Sequence, residues 1–269
     1  MKDLFFKRSA VHNLLISRCR TKFSKNEISE GLVIPKDILM KCDILPWEQI
    51  IVTKIDGNNW INRVKTFVIE GEVDSKVEAR GSIARFLNQG DLTCLISNTI
   101  LNEKELKSYI NNKLPIFDLG FDPKTNKNNN VSRLDVEYRS EKLRDVKKYA
   151  SLVKGRKKIR RLFLSSLVMG LKINKTYPDC LQGSAELPKN IMDNAGLERY
   201  QSVAVYNSSK GGIADTYVVP MPPKVVMTTG AMAKFAKKGE VVNIATFAAS
   251  DKNINPTIIF TDGTGLVKK

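Results

Sequence analysis

The feature that most constrains this chain is an internal repeat. Ile34-Pro35-Lys36-Asp37-Ile38-Leu39 returns as Leu187-Pro188-Lys189-Asn190-Ile191-Met192, 153 positions later. Arg63-Val64-Lys65-Thr66-Phe67-Val68-Ile69 returns as Ile213-Ala214-Asp215-Thr216-Tyr217-Val218-Val219, 150 positions later. Arg80-Gly81-Ser82-Ile83-Ala84-Arg85 returns as Thr229-Gly230-Ala231-Met232-Ala233-Lys234, and Gly90-Asp91 as Gly239-Glu240, both after 149. Collinear matches with such steady offsets predict a tandem duplication, each copy about 90 residues long.

Each copy reads as short strands and turns. Ile50-Ile51-Val52-Thr53 is a β-branched run. Asp56-Gly57-Asn58-Asn59 is a turn signal, and residues 60–69 return as the partner strand of a hairpin. Lys36 to Cys42, following Pro35, suits a short helix with proline at its first turn. Gly90-Asp91 turns into a buried strand, Leu92-Thr93-Cys94-Leu95-Ile96. The stretch between the copies differs. Residues 103–114 place Leu106, Tyr109, Ile110 and Leu114 at helical spacing. Residues 122–132 read as a linker, and residues 133–160 as a charged surface helix ending in a basic run. The expected organisation is all-β: one unit at 1–97, a helical basic connector at 98–161, and a second unit at 162–269.

Charge and cysteine content narrow the function classes. The net charge is +16, but residues 121–161 alone hold fourteen Lys and Arg against five Asp and Glu. Charge pooled in one segment does not require a basic face on the folded core. There is one histidine, His12, and the cysteines 19, 42, 94 and 180 form no Cys-x-x-Cys pair, which excludes a zinc site of ordinary spacing. Scattered cysteines in a chain this long fit reduced thiols and a cytoplasmic protein. No run approaches the ~20 apolar residues that span a bilayer. Lys2, Lys7 and Arg8 around Leu4-Phe5-Phe6 imitate the start of a signal peptide, but the following stretch is too polar, and it reads as folded sequence.

One difference between the copies carries chemistry. Two residues separate Gly31 from its Ile-Pro motif, whereas three separate Gly183 from Leu187-Pro188, and Ser184 is the first of them. A Gly-Ser bond is commonly only a turn, but it is also a bond at which a serine hydroxyl can attack the preceding carbonyl. Gly81-Ser82 is a second such pair, but it falls in the later turn motif and is not read as a cleavage site.

With Gly183-Ser184, the Thr216-Tyr217 hairpin end, the Thr229-Gly230-Ala231-Met232-Ala233 turn and Lys238-Gly239-Glu240, the second copy resembles the pyruvoyl-dependent aspartate 1-decarboxylases over most of residues 163–250. The first copy resembles them more weakly over about 10–97. The resemblance implies two tandem double-psi β-barrels, with two chains forming a pseudo-tetramer. It implies cleavage between Gly183 and Ser184, leaving a pyruvoyl group derived from Ser184 that forms a Schiff base with a substrate amine. Thr216 would hydrogen-bond the carbonyl under attack. Tyr217 would return a proton to the carbanion. Thr229, Gly230 and Ala231 would contact the substrate, although the family usually has asparagine at the place of Thr229. The family's carboxylate-binding arginine is Ile213 in the second copy and Arg63 in the first. Active sites in the family lie between neighbouring barrels, so Arg63 is expected to reach the Ser184 site across an interface. The first copy has Phe67 for the tyrosine and no serine. The family's N-terminal lysine falls near Ala10 and Ser166, and Lys7 or Lys172 are candidates to replace it.

The expected function is decarboxylation of an amino acid, with aspartate to β-alanine first and a different amino acid as the rival. A separate class stays open: a non-catalytic barrel protein binding an acidic partner or nucleic acid through residues 133–161. Sparse aromatic platforms make nucleic acid the weaker partner. No membrane partner is expected.

Overall fold

β-Branched and aromatic runs, broken by Gly, Pro and Asn, favour short paired strands over helices. The computed structural model is all-β in this sense, with a few single-turn helices. It describes residues 3–24, 26–56, 59–73, 75–102, 114–122, 127–136 and 160–263. The first unit contains β1 (Asp3–Leu15), β2 (Arg18–Arg20), β3 (Gly31–Pro35), α1 (Lys36–Lys41), β4 (Gln49–Asp56), β5 (Asn59–Gly71), β6 (Glu78–Arg80) and β7 (Leu92–Asn102). It continues into β8 (Leu114–Asp122) and β9 (Lys127–Val136). The second contains β10 (Arg161–Lys172), β11 (Lys175–Tyr177), β12 (Ala185–Pro188), α2 (Lys189–Ala195), β13 (Ser202–Asn207) and β14 (Ile213–Met221). It closes with β15 (Met227–Thr229), α3 (Gly230–Phe235), β16 (Val241–Ser250) and β17 (Thr257–Phe260).

The duplication is visible in the topology. The first sheet runs β2-β6-β3-β5-β4-β7-β1-β8-β9 and the second β11-β15-β12-β14-β13-β16-β10-β17. Strand for strand the order is the same, with β9 added at one edge. Each unit is a barrel-like sheet in which parallel pairs (β3 with β5, β12 with β14) interrupt antiparallel ones. The left-handed backbone positions also recur in pairs: Asn13 with Gly170, Asp43 with Gly196, Trp47 with Tyr200, Gly81 with Gly230, and Gly90 with Gly239. A positive φ on a large aromatic is uncommon. Its recurrence at Trp47 and Tyr200, each just before the central hairpin, marks a turn that both units keep.

The connector differs from expectation. Residues 98–102 still belong to β7, and the linker expected at 122–132 is in part strand, because β9 pairs antiparallel with β8. β8 in turn lies parallel to β1, in register Ala10↔Ile116. The Asn-rich and Lys-rich segment has little strand propensity of its own. The open edge of β8 supplies backbone donors and acceptors that demand partners, and pairing overrides propensity. Leu114, expected to end the helix at 103–114, and residues 133–136, expected to begin the helix at 133–160, are strand instead, and the rest of both helical patterns, 103–113 and 137–159, lies outside the described residues.

Each unit has its own apolar core, one around Leu32, Ile34, Ile50 and Val68, the other around Leu187, Ile191, Val205 and Val218. A third cluster joins the units: Phe67 of the first packs with Leu164, Leu167, Met169, Ala204, Tyr206 and Ala245 of the second, with Ile28, Trp47 and Ile213 against it. The Phe67 and Tyr206 rings meet edge to face at 6.3 Å. Around this cluster Leu164 N donates to Trp47 O at 2.8 Å, Arg161 pairs with Asp43 and Glu48, and Lys65 pairs with Asp215.

Candidate functional site

Ser184 sits one residue before β12. Parallel pairing with β14 (Ala185↔Val218) and antiparallel pairing with β15 (Ala185↔Thr228) bring Thr216, Tyr217 and Thr229 to it from distant parts of the unit. Ser184 is buried. Its Oγ lies 2.8 Å from Thr229 Oγ1 and donates to Glu186 Oε1 at 3.2 Å. Its amide donates to Thr229 Oγ1 at 3.0 Å. On the other side of the bond, Thr216 Oγ1 donates to the Gly183 carbonyl at 2.6 Å. Thr229 Oγ1 is also within 3.0 Å of the Gln182 carbonyl. The peptide bond is thus held from both ends by hydroxyls, with Ser184 buried and Gly183 partly open.

Glycine is favoured at 183 and required at 230 on steric grounds. A Cβ on Gly183 would stand 3.2 Å from Ala231 N and 3.3 Å from Met232 N, tighter than ordinary contact. Gly230 has φ +48°, and a Cβ there would meet the Gln182 carbonyl at 2.4 Å. Ala231 and Gly230 therefore shape the site by letting backbone approach backbone. The segment expected as a turn is the end of β15 followed by the short helix α3.

An open pocket of about 530 Å³ reaches the Gly183 side of the bond, lined by Gln182, Gly183, Tyr200 and Tyr217. The Tyr217 hydroxyl donates to Gln182 Oε1 at 3.0 Å, and its ring meets Tyr200 edge-on at 5.9 Å. The Arg199 guanidinium lies 4.6 Å over the Tyr200 ring. Glu186, Gln182, Tyr200 and Arg199 were not singled out by sequence reasoning. The repeated positive φ at Trp47 and Tyr200 leaves no trace in residue type. Glu186 is findable only once the strand register around Ser184 is known.

That register corrects the alignment of the copies. Gly31 pairs with Arg80 and Leu32 lies beside Val68, as Ala185 lies beside Val218. Gly31 is therefore the counterpart of Ser184, and Glu30 that of Gly183. The second copy has no extra residue after its glycine; ahead of the serine it is the shorter one, with residues 178–183 standing where the first copy has 21–30. Matching glycine to glycine misplaces the serine's counterpart, because hydrogen-bond register, not residue identity, aligns strands.

At the first copy's version of the site, a carboxylate fills the space. Glu30 is buried and accepts from Ser82 N (2.8 Å), Ser82 Oγ (3.1 Å), Ser208 Oγ (2.8 Å) and Asn243 Nδ2 (2.9 Å). Ser82 thus caps a carboxylate and faces no scissile bond. Burial pushes the Glu30 carboxyl from 4.5 up to about 7, against the lowering effect of those hydrogen bonds. The folded form then holds a proton that the unfolded form has lost. Glu30's contribution to stability is full below pH 4.5 and is lost as pH rises through about 7. Glu30→Gln is expected to flatten the melting temperature over this window. An unchanged slope in thermal melts at stepped pH would remove Glu30 as its source.

The remaining expected residues are placed as follows. Arg63 is exposed on β5, opposite Thr53, and makes none of the Ser184 contacts. Its counterpart Ile213 packs into the cluster between the units. For the family lysine, the register pairs Ala10 with Ile96 and Leu167 with Ala245, so the counterpart of Ala10 is Leu167, one place beyond Ser166. Lys172 ends β10, near Lys224 and Lys238. Lys7 and His12 lie on β1. Among the described residues no group of His, Cys, Asp and Glu could hold a metal, and no helix is long and apolar enough to cross a membrane.

Comparison with known proteins agrees with the duplicated layout. Residues 6–118 and 161–267 each match the aspartate decarboxylase family. Among curated proteins the chain is similar to the aspartate 1-decarboxylase of Syntrophomonas wolfei, 30% identical over 93 residues, which covers 32% of this chain and 79% of that protein. It is also similar to the aspartate 1-decarboxylase of Staphylococcus aureus, 34% identical over 98 residues, covering 36% and 75%. Most of such a relative is thus matched by about a third of this chain.

Proposed function

This chain belongs to the aspartate decarboxylase family, once in each half, and on that premise we propose that it is a self-processing amino-acid decarboxylase. Cleavage occurs between Gly183 and Ser184, and aspartate is the first substrate to test. The observation that carries the reading is the 2.6 Å hydrogen bond from Thr216 to the Gly183 carbonyl, with the Ser184 hydroxyl buried beside the same bond. These residues fit a serine-derived pyruvoyl group: the nucleophile follows the carbonyl, and a donor is aimed at the oxygen where negative charge develops.

The Ser184 hydroxyl attacks the Gly183 carbonyl, and the amide becomes an ester. Loss of the Ser184 α-proton and breakage of its Cβ–Oγ bond release Gly183 as a carboxylate. Hydrolysis of the remaining end gives the pyruvoyl group and ammonia. Thr216 stabilises the oxyanion of the first step. Removing one such donor costs about 10²–10³ in rate, so Thr216→Val should slow chain cleavage by that order. A time course of intact mass checks it, and cleavage at the native rate would exclude the role.

The pyruvoyl group supplies the electron sink that lets an amino acid lose carbon dioxide. Around it, Tyr217 lines the pocket and presents a hydroxyl that can deliver a proton to the substrate carbon. Thr229, Gly230 and Ala231 back the Gln182–Ser184 segment that borders the pocket, and are the proposed substrate contacts once the chain is cleaved.

The site is open on one side, and the duplication suggests what closes it. Ile28, Trp47 and Phe67 pack against the second unit within the chain. Their counterparts Leu181, Tyr200 and Tyr217 face outward, Leu181 fully exposed and Tyr200 60% exposed. In a second copy docked as the second unit docks on the first, the first unit's outer face covers them. Arg63 then takes the place relative to Tyr217 that Ile213 has relative to Phe67. It brings a guanidinium for a substrate carboxylate. Two chains would share sites in this way, a pseudo-tetramer of barrels. Binding of nucleic acid or an acidic partner has no such support: the segment that motivated it lies largely outside the described residues. A screen of decarboxylation over free amino acids tests the substrate, and aspartate left unconsumed by cleaved protein would redirect it.

A further inference from the structure

Ser184 and Glu186 are two residues apart around the start of β12, so their side chains leave the same face. The Glu186 carboxylate accepts from Ser184 Oγ at 3.2 Å. Thr229 Oγ1, which has one proton to give, lies 2.8 Å from the same Oγ, 3.0 Å from the Ser184 nitrogen and 3.0 Å from the Gln182 carbonyl. Thr229 accepts from the Ser184 amide. When Thr229 donates to Ser184, the acceptor left for the serine hydroxyl proton is Glu186; when it donates to Gln182, its second lone pair and Glu186 both face that proton, and of the two only the carboxylate is a base. The inactive copy gives the complementary observation. By strand register the counterparts of Ser184 and Glu186 are Gly31 and Val33, so nucleophile and carboxylate are missing together.

On the reading that Ser184 cleaves the chain, we propose that Glu186 is the catalytic base of that cleavage. It takes the hydroxyl proton as Ser184 Oγ bonds to the Gly183 carbonyl carbon. As the carbon–nitrogen bond breaks, the proton passes to the Ser184 nitrogen, with the Thr229 hydroxyl within hydrogen-bonding distance of both serine atoms. The amide isomerises to the ester with no net gain or loss of atoms or electrons. Thr216 holds the carbonyl oxygen meanwhile, so base and oxyanion donor act on the bond from opposite sides.

The test follows chain cleavage in freshly translated full-length protein by intact mass. Glu186→Gln is expected to slow cleavage about 10²-fold or more, the usual worth of a positioned base. Glu186→Ala is expected to be equally slow and to be accelerated by added formate, which can enter the vacated space. Melting temperatures of both variants are measured alongside. Native cleavage rates in a folded Glu186→Gln overturn the assignment, as does a slow Glu186→Ala that formate leaves unchanged. If the alanine variant does not fold, the glutamine variant decides alone. A native chain that never cleaves overturns the function reading as well, which separates the two failures.

Discussion

Ser184→Ala leaves the chain as a single piece of 30.2 kDa and lowers decarboxylation to background, a loss of about 10⁶-fold or more on the scale of enzymatic acceleration. The native chain gives two pieces divided after Gly183. The substitution deletes one oxygen from a buried position and adds no bulk, so the fold should stay native. Two side-chain contacts end there, to Thr229 Oγ1 and Glu186 Oε1, while the backbone amide keeps its bond to Thr229. Loss of the neutral bond to Thr229 costs about 1 kcal/mol and of the bond to the Glu186 carboxylate about 1.5–3 kcal/mol, together less than the roughly 5–15 kcal/mol that holds a domain folded. Intact mass, a melting curve and an assay of carbon dioxide release together check the expectation. Native decarboxylation by an uncleaved Ser184→Ala chain would end the pyruvoyl proposal.

The second large effect concerns Arg63. Removing one partner of a desolvated charged hydrogen-bonded pair costs about 2–5 kcal/mol, so Arg63→Ala should lower kcat/KM for an acidic substrate by about 10²-fold or more. Chain cleavage should continue, because Arg63 makes none of the Ser184 contacts. The sharing of sites between copies gives a stricter test. Neither Arg63→Ala nor Ser184→Ala protein is active alone, yet co-expressed they should recover activity. In a two-chain assembly of random composition, half the pairs are mixed and one site of two is intact. Recovery should be roughly a quarter of native, given the closed two-fold arrangement assumed. No recovery, with mixed assemblies present by mass, would show that Arg63 does not act across copies.

Much of the architecture was legible in the chain. The offsets of the repeat predicted two units with one topology, and the strand orders agree. The Ile50 hairpin and the short helix after Pro35 were readable from a β-branched run, a turn signal and a proline position. Other parts were not. β9 forms where the sequence is poor in strand formers, because the open edge of β8 decides the matter. The counterpart of Ser184 was misassigned by one residue, since glycine identity is a weaker guide than backbone pairing. Glu186 and Gln182 carry no motif, and their relevance appears only when three strands meet at one bond. The cluster joining the units was likewise invisible: Phe67 reads as a lost tyrosine, and nothing local says that it is a plug.

That plug has a bearing on stoichiometry. A cyclic ring of four identical barrels presents four equivalent seams. Here Phe67 and Glu30 seal one seam of each fused pair permanently, so a ring built from two such chains can hold no more than two working centres. Each barrel also becomes free to shape its outer wall for a single neighbour, greasy where it meets the sealed seam and cationic where it meets the reactive one. A ring of identical subunits has no means of making that distinction.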